Sequence, residues 1–383
     1  MDTHVVILDT NHLLHTYYNS QHRLSFRVQG PSGQFEQKDT TIQNGIIKNW
    51  HRWTKMGYFP CVACFDRPCL PRKVFFQQQF GNMKIGSGEE YKGNREKMAD
   101  DMYTASKDVL LAFKQAGIFT LAEDGYEADD LIKACIDRAM VKYPDMHIDV
   151  ITNDADLLPL VSENVSVYLR SKKGTYAEDK AYEKTHYIEV TPRNYEEVVE
   201  GLSSYKGFLM PYNSILLHKL LRGDSSDQFG CKDISKLFPP TKWNAMVSKM
   251  IEGGVDFGSI FRYGYPTQRI MFRNEDREFE GTMEDALNSP DRDKLYTKVE
   301  SPWELEEILN VLKEYTSLDD EQLNRIKKVY WGMCLNMPYV NKDPRFTRKQ
   351  FKITGDKGLD IGTYKDADLR TVARSSFGIN LGT

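Results

Sequence analysis

The stretch IFTLAEDGYEADDLI (118–132) fixes the architecture. An apolar run, IFTLA (118–122), breaks at Gly125. It gives way to EADDLIKACIDRAMVK (127–142), whose apolar residues recur at helical spacing. A buried strand, a glycine turn and an acid-opened helix in that order are half of a βαβ unit. Four more runs have the same character: VVILD (5–9), PCVACF (60–65), IDVIT (148–152) and VSVYL (165–169). They lack one-sided polar alternation, as expected of strands buried on both faces of a parallel sheet. Between them, residues 41–56 place Ile42, Ile46, Trp50 and Trp53 at helical spacing, and 100–116 follow a similar pattern. The spacing predicts an α/β domain over about residues 1–170.

Acidic residues stand where these elements meet. Asp9 and Asp66 end two of the runs. Glu127, Asp129 and Asp130 open a helix. Asp154 and Asp156 follow a fourth run, and Asp224 and Asp227 lie in RGDSSD (222–227). In an open α/β sheet the strand C-termini line the crevice where ligands bind. Nine carboxylates brought to one crevice repel one another and need cations. Oxygen ligands alone favour Mg²⁺ or Mn²⁺ over zinc.

The bulk properties are those of a water-soluble globular chain: 383 residues, 40% hydrophobic and 28% charged. No apolar stretch approaches the ~18 residues of a membrane helix, and no export signal opens the chain. Six cysteines without an export signal point to a reduced cytoplasm rather than a disulfide framework. Cys61 and Cys64 lie within a strand, and no second pair completes a zinc site. The net charge of −4 argues against nucleic-acid binding only until the nine acids are set aside; the remaining chain is net positive. Residues 67–97 and 342–352 are locally basic.

Residues 67–99 interrupt the α/β alternation with Pro68, Pro71, Gly81, Gly86, Gly88 and Gly93 among basic and aromatic residues, and are expected to overhang the crevice. Beyond 170 the pattern becomes mainly helical. Residues 194–222 and 303–332 carry the strongest helical signals, with a turn at 223–227, a short helix up to Leu237, mixed helix and loop over 239–300, a loop over 338–363 and a last helix at 364–377.

Taken together, these motifs resemble the 5′-nuclease superfamily: flap endonucleases, the 5′-nuclease domain of bacterial DNA polymerase I, and the RNase H-type 5′-nucleases of tailed phages. The resemblance rests on Asp9 and Asp66 at strand ends, Tyr91-Lys92-x-x-Arg95 followed by Asp100-Asp101, Gly125-Tyr126-Glu127-Ala128-Asp129-Asp130, Asp154-x-Asp156 and Gly223-Asp224-Ser225-Ser226-Asp227. It covers about residues 1–240 and is weak beyond. It implies a PIN-like, mostly parallel sheet flanked by helices, with a helical arch inserted at about 67–99. A mainly helical DNA-binding domain would follow at 171–383, with a helix-three-turn-helix unit around 209–240. The family's site would use two Mg²⁺ or Mn²⁺ ions. Asp9, Asp66, Glu127, Asp129, Asp130 and Asp154 would serve the first and Asp156, Asp224 and Asp227 the second. Lys92, Arg95, Asp130 and Asp154 would act in the reaction. Arg72, Lys73, Tyr91, Lys92, Arg95, Gly230 and Lys232 would contact DNA, and a K⁺ ion would sit at the helix-three-turn-helix turn. The chain departs from the pattern at Gln228-Phe229-Gly230-Cys231-Lys232, where one glycine stands in place of two or more. Asp156 and Asp224 are also far apart, which calls for an added element at about 171–194.

The residues themselves suit phosphodiester hydrolysis. Two metals activate water and clamp the attacking and leaving oxygens. Glu127 and Asp130 share a helix face, near the end whose dipole favours carboxylates. Asp154 and Asp156 point the same way on an extended chain. Lys92 and Arg95 offer charge to a phosphate. His12, His15, Tyr17 and Tyr18 suit packing or surface roles better than DNA contact. The expected function is a 5′-to-3′ exonuclease or flap endonuclease acting on branched, nicked or RNA-primed DNA in replication and repair, in the cytoplasm of a phage-infected bacterial host. Partners would be DNA flaps, nicked duplexes and RNA–DNA hybrids, with a single-strand-binding protein or other replisome component, and no membrane. A non-catalytic binder of branched DNA on the same fold and a small-molecule phosphatase are the alternatives.

Overall fold

The computed structural model describes residues 4–19, 24–29, 33–55, 60–80, 91–92, 99–170, 187–224, 227, 229–230, 232–264, 267–281, 283–300, 302–339, 346–353, 366–377 and 379. Its first strand, β1 (His4–Asp9), feeds helix α1 (Thr10–Tyr18), with Asp9 as the cap of that helix. A short antiparallel ribbon follows, β2 (Ser25–Gln29) and β3 (Phe35–Asp39), then α2 (Thr41–Lys55) and β4 (Pro60–Cys64). Helix α3 (Leu70–Phe80) and helix α4 (Asp100–Gln115) lead to β5 (Phe119–Leu121), α5 (Ala128–Lys142), β6 (His147–Thr152), β7 (Val165–Arg170) and β8 (Tyr187–Val190).

The sheet runs in the order β5-β4-β1-β6-β7-β8. Every neighbour is parallel except the edge pair of β7 and β8. The α/β class and its parallel sheet are therefore as the alternation of runs implies. All five expected strands form within a residue or two of their apolar runs. The antiparallel edge strand β8 lies within the span where the long Asp156–Asp224 spacing called for an added element. The rest of that insertion, 171–186, lies outside the described residues.

Both sheet faces are covered. Val6, Leu8, Ala63 and Ile151 pack under α1, α2, α4 and the helix Asp366–Phe377. Val5, Ile7, Val62, Ile148 and Val150 face the other way, against α5 and the C-terminal helices. That second core runs unbroken into Ile215–Leu221, Trp243, Ile308 and Ile326. Most of the described chain beyond 170 is thus built onto one face of the sheet, while the helix Asp366–Phe377 returns to cover the other. Each buried aliphatic side chain there contributes about 1.5–3 kcal/mol relative to exposure.

The basic, Gly- and Pro-bearing stretch does not overhang from its start. Residues 70–80 are helix α3, held to the body by Phe76, which stacks on Tyr91 (4.9 Å between ring centroids) and Phe229 (5.7 Å). The ring of Phe76 also lies where a side chain on Gly332 would stand. The remainder of the expected arch, 81–90 and 93–98 with Arg95, lies outside the described residues.

The region expected to be helical at 194–222 splits into Tyr195–Glu200, a 3₁₀ turn Ser203–Tyr205 and the helix Ile215–Arg222. The polar stretch 239–300 contains a ribbon, β9 (Thr267–Phe272) with β10 (Leu295–Glu300), that composition did not suggest. Its strands carry Arg269 and Lys298 among the apolar residues, so no apolar run marked them. The turn after Ile215–Arg222 closes through paired backbone bonds between Asp224 and Phe229 and leads to the short helix Lys232–Ser235.

Two glycines explain how this turn manages with so few. Gly223 (φ 75°) and Gly230 (φ 125°) both use left-handed backbone, and they face each other. A methyl group on Gly230 would stand 2.5 Å from the Cα of Gly223. Gly230→Ala is expected to destabilise the protein by about 1–3 kcal/mol, from backbone strain and the clash together. Chemical denaturation of the full chain followed by circular dichroism measures it.

Candidate active site

The C-terminal ends of the parallel strands open into a pocket of about 450 Å³. Asp9 stands at the end of β1, Asp66 just beyond β4, Asp129 in the first turn of α5 and Asp154 just beyond β6, and all four line it. Lys92 lines the same pocket, with Asn11, His12, His15, Thr16, Asn19 and Asn153.

Local structure aims these carboxylates. Asp9 Oδ1 accepts from the Asn11 N–H (3.1 Å), and its Oδ2 accepts from the Thr152 hydroxyl (2.7 Å). Asp66 Oδ1 accepts from the Ala128 N–H (2.7 Å), which binds the strand end to the start of α5. Asp154 Oδ1 accepts from the Asp156 N–H (2.9 Å), capping the short 3₁₀ helix Ala155–Leu160.

The electrostatics are those of acids crowded without enough cations. Burial, with the charges of Asp66 and Asp154 beside it, pushes Asp9 up to about 7 against the lowering hydrogen bonds from Thr152 and Asn11. Burial and then Asp154 and Asp9 raise Asp129 well above its usual range. Loss of hydration and then the charge of Glu127 raise Asp66. Carboxylates that disfavour one another's charge, with oxygen-only donors, fit a hard divalent cation. Asp9, Asp66, Asp129 and Asp154 are the residues that would hold it.

Helix α5 does not send its three acids to one place. Glu127 pairs with Arg72 and with Lys92 (2.5 Å) and accepts from the Tyr91 hydroxyl (3.2 Å). Burial pushes Glu127 up, but Lys92 and Arg72 outweigh it and hold the acid far below the usual carboxylate range. Asp129 faces the pocket. Asp130 is completely buried and turned away from it. Its oxygens accept from Arg72 (2.7 Å), Arg348 (2.7 Å), the Asn336 N–H (2.5 Å) and the Glu127 N–H (3.0 Å). Burial pushes Asp130 up, yet Arg348 and Arg72 hold it below its usual range.

Placement therefore corrects several expectations. Asp130 is neither in reach of the pocket nor free to act in a reaction there; it ties α5 to the C-terminal segment. Arg72, 3% exposed and paired with Glu127 and Asp130, has no surface to offer DNA. Tyr91 is buried too, stacked on Phe76, with its hydroxyl 3.3 Å from Asp227. Its role is to seat Lys92, whose left-handed backbone (φ 56°) donates to the Asp227 carbonyl (3.0 Å). Lys73 is half-buried on α3. Arg95 lies outside the described residues, as does the side chain of Lys232. His12 is locked in packing: Nδ1 lies 2.5 Å from the Asp9 carbonyl, Nε2 lies 3.0 Å from the Tyr187 hydroxyl, and burial lowers its pKa to about 3.

The second acidic group is divided. Lys219 pairs with both Asp156 and Asp224, the latter at 2.5 Å, while Asp227 faces Lys92 at 3.7 Å. Sequence reasoning missed Lys219, Thr152 and Arg348. Only Thr152, at the end of an apolar run beside Asp154, carried a usable signal.

Residues 4–186 match the family model of the 5′-3′ exonuclease N-terminal, resolvase-like domain. Among its relatives are a 5′-3′ exonuclease of Buchnera aphidicola and a flap endonuclease Xni of Colwellia psychrerythraea. The first is 24% identical over 180 residues, 47% of this chain and 56% of the relative; the second is 25% identical over 183 residues, 44% and 56%. The chain thus spans about half the length of the curated relatives it matches. A solved T5 5′-exonuclease with bound zinc aligns over 85% of this chain at 12% identity, with a TM-score of 0.39.

Two outcomes follow from the geometry. Removing one partner of a buried ion pair costs ~3–5 kcal/mol, so Arg348→Met and Asp130→Ala are both expected to lower unfolding free energy by about that much. Urea titration checks it. For Asp9, the folded pKa of about 7 lies above the ordinary 3.8. Between those values the folded state holds more protons than the unfolded one, so its stability falls as pH rises through that window. Chelator-treated protein should lose at least about 1 kcal/mol from Asp9 across that range, and Asp9→Asn should flatten the loss, read as thermal midpoints against pH.

Proposed function

We propose that the protein is a divalent-metal-dependent 5′-nuclease that hydrolyses phosphodiester bonds at the 5′ ends of branched, nicked or RNA-primed DNA. The observation that carries this is the convergence of Asp9, Asp66, Asp129 and Asp154 with Lys92 in one pocket at the strand ends. We take residues 1–170 as the nuclease part and 171–383 as a mainly helical part that grips duplex DNA.

A bound Mg²⁺ or Mn²⁺ ion would lower the pKa of a water and neutralise charge on the phosphate. Asp9, Asp66, Asp129 and Asp154 would hold it. Thr152 and the Asn11 N–H keep Asp9 ionised and aimed when the site is filled. Lys92 reaches the pocket wall with its ammonium fixed between Glu127 and Asp227. Held there, it can meet charge that builds on a phosphate oxygen without reorganising. Glu127 orients Lys92 instead of binding the ion directly.

In Mg²⁺, the purified protein should shorten a 5′-labelled flap or nicked duplex. Asp154→Asn should slow this by at least about 100-fold while leaving duplex affinity in calcium within a few-fold. Retained cleavage in the variant would remove Asp154 from the site. Binding of branched DNA with no metal-dependent cleavage by the unaltered protein would instead favour the non-catalytic binder.

A further inference from the structure

The second acidic group does not fit a metal ion as the first does. Lys219 lies on Ile215–Arg222, 4% exposed, and its Nζ sits between Asp156 Oδ1 and Asp224 Oδ2. The other oxygen of Asp224 accepts from the Asp227 N–H (3.3 Å). Asp227 is turned toward Lys92 and Tyr91. An ion held by both acids would share them with the ammonium, which already faces Asp156 Oδ1 and Asp224 Oδ2. Divalent magnesium takes its oxygens at about 2.0–2.1 Å in a near-octahedral shell. It would have to stand beside a buried like charge or drive that charge out of its socket.

The lysine is well fixed in place. Its helix ends at Gly223, whose N–H donates to the Lys219 carbonyl (2.8 Å), and the left-handed backbone there turns Asp224 back toward the ammonium. The Tyr263 hydroxyl donates to the Asp156 carbonyl (3.1 Å), which holds the other acid. Burial alone would neutralise the lysine, but Asp156 and Asp224 hold it charged, while burial and Asp154 push Asp156 itself up to about 7. The first group has no such occupant: among the described cations only Lys92 lines its pocket, and Lys92 is shared with Glu127 and Asp227.

We infer that Lys219 is the resident cation of the second acidic group, so that this chain holds one divalent ion tightly, at Asp9, Asp66, Asp129 and Asp154, rather than two. The inference rests on the metal-dependent reading above. Lys219 is a charge-balancing, positioning residue. It keeps Asp156 and Asp224 close, and with them the turn at 223–230, without an ion.

Counting bound Mn²⁺ on the full chain tests it, by electron paramagnetic resonance and by calorimetry near neutral pH. The unaltered protein should bind one ion, with any second at least about 100-fold weaker, because a neighbouring unit charge changes ion affinity by about 10- to 1000-fold. Lys219→Met should bring a second ion to within about tenfold of the first, and Lys219→Arg should not. Asp224→Asn should leave the tight ion in place, while Asp9→Asn should lose it. Two ions of similar affinity on the unaltered protein would overturn the inference and leave the nuclease reading standing. No ion at all would bring down both. The count on the unaltered protein decides the matter even if Lys219→Met fails to fold.

Discussion

Like charge at the ends of parallel strands is the constraint around which this molecule is arranged. β1, β4 and β6 run the same way, so Asp9, Asp66 and Asp154 must end near one another. Helix α5 adds Asp129 at the same edge. Such a group raises the energy of the folded protein unless something positive meets it, and Asp9 shows the strain by holding its proton up to about pH 7. The fold answers the charges differently at each position. Lys92 serves the boundary between the two groups, Lys219 closes the second, and the first is left open to a ligand.

The buried ionic cluster of Arg72, Asp130 and Arg348 does different work a few ångströms away. It joins α3, the first turn of α5 and the C-terminal segment, three parts of the chain more than 50 residues apart. Asn336 and Tyr339 complete it through the Asn336 N–H to Asp130 and the Arg72 Nε to the Tyr339 hydroxyl (3.2 Å). A buried ion set of this kind is weak evidence for stability, since apolar packing of equal volume often does as well. Its consequence here is geometric. With Asp130 drawn to the arginines, the helix is rotated so that Asp129 faces the pocket and Glu127 backs Lys92. Three neighbouring acids acquire three roles because their surroundings differ: Glu127 meets Lys92 and Arg72, Asp130 meets Arg72 and Arg348, and Asp129 faces the pocket.

The same logic explains why two arginines of the basic segments are not on the surface. Residues 342–352 and 67–97 are positively charged in sequence, and a surface for a polyanion is a sound expectation for such stretches. Arg348 and Arg72 are instead consumed inside the protein by Asp130 and Glu127. Charge counting cannot tell an arginine that neutralises an internal acid from one that faces solvent, because both contribute equally to the sum.

Local sequence settled the strand positions, the parallel alternation and the acids at the strand ends, since apolar runs and their polar punctuation depend on neighbours a few residues apart. The ribbon of β9 and β10 and the edge strand β8 were not legible, because edge and two-stranded elements tolerate polar residues and leave no apolar run. The direction of each carboxylate was beyond the sequence altogether. Asp129 and Asp130 are adjacent, and whether one meets a pocket and the other an arginine 218 residues away depends on which side chains the completed fold brings against that turn. The tertiary structure alone placed Lys219 between Asp156 and Asp224, for ion pairing follows distance in space and carries no trace in spacing along the chain.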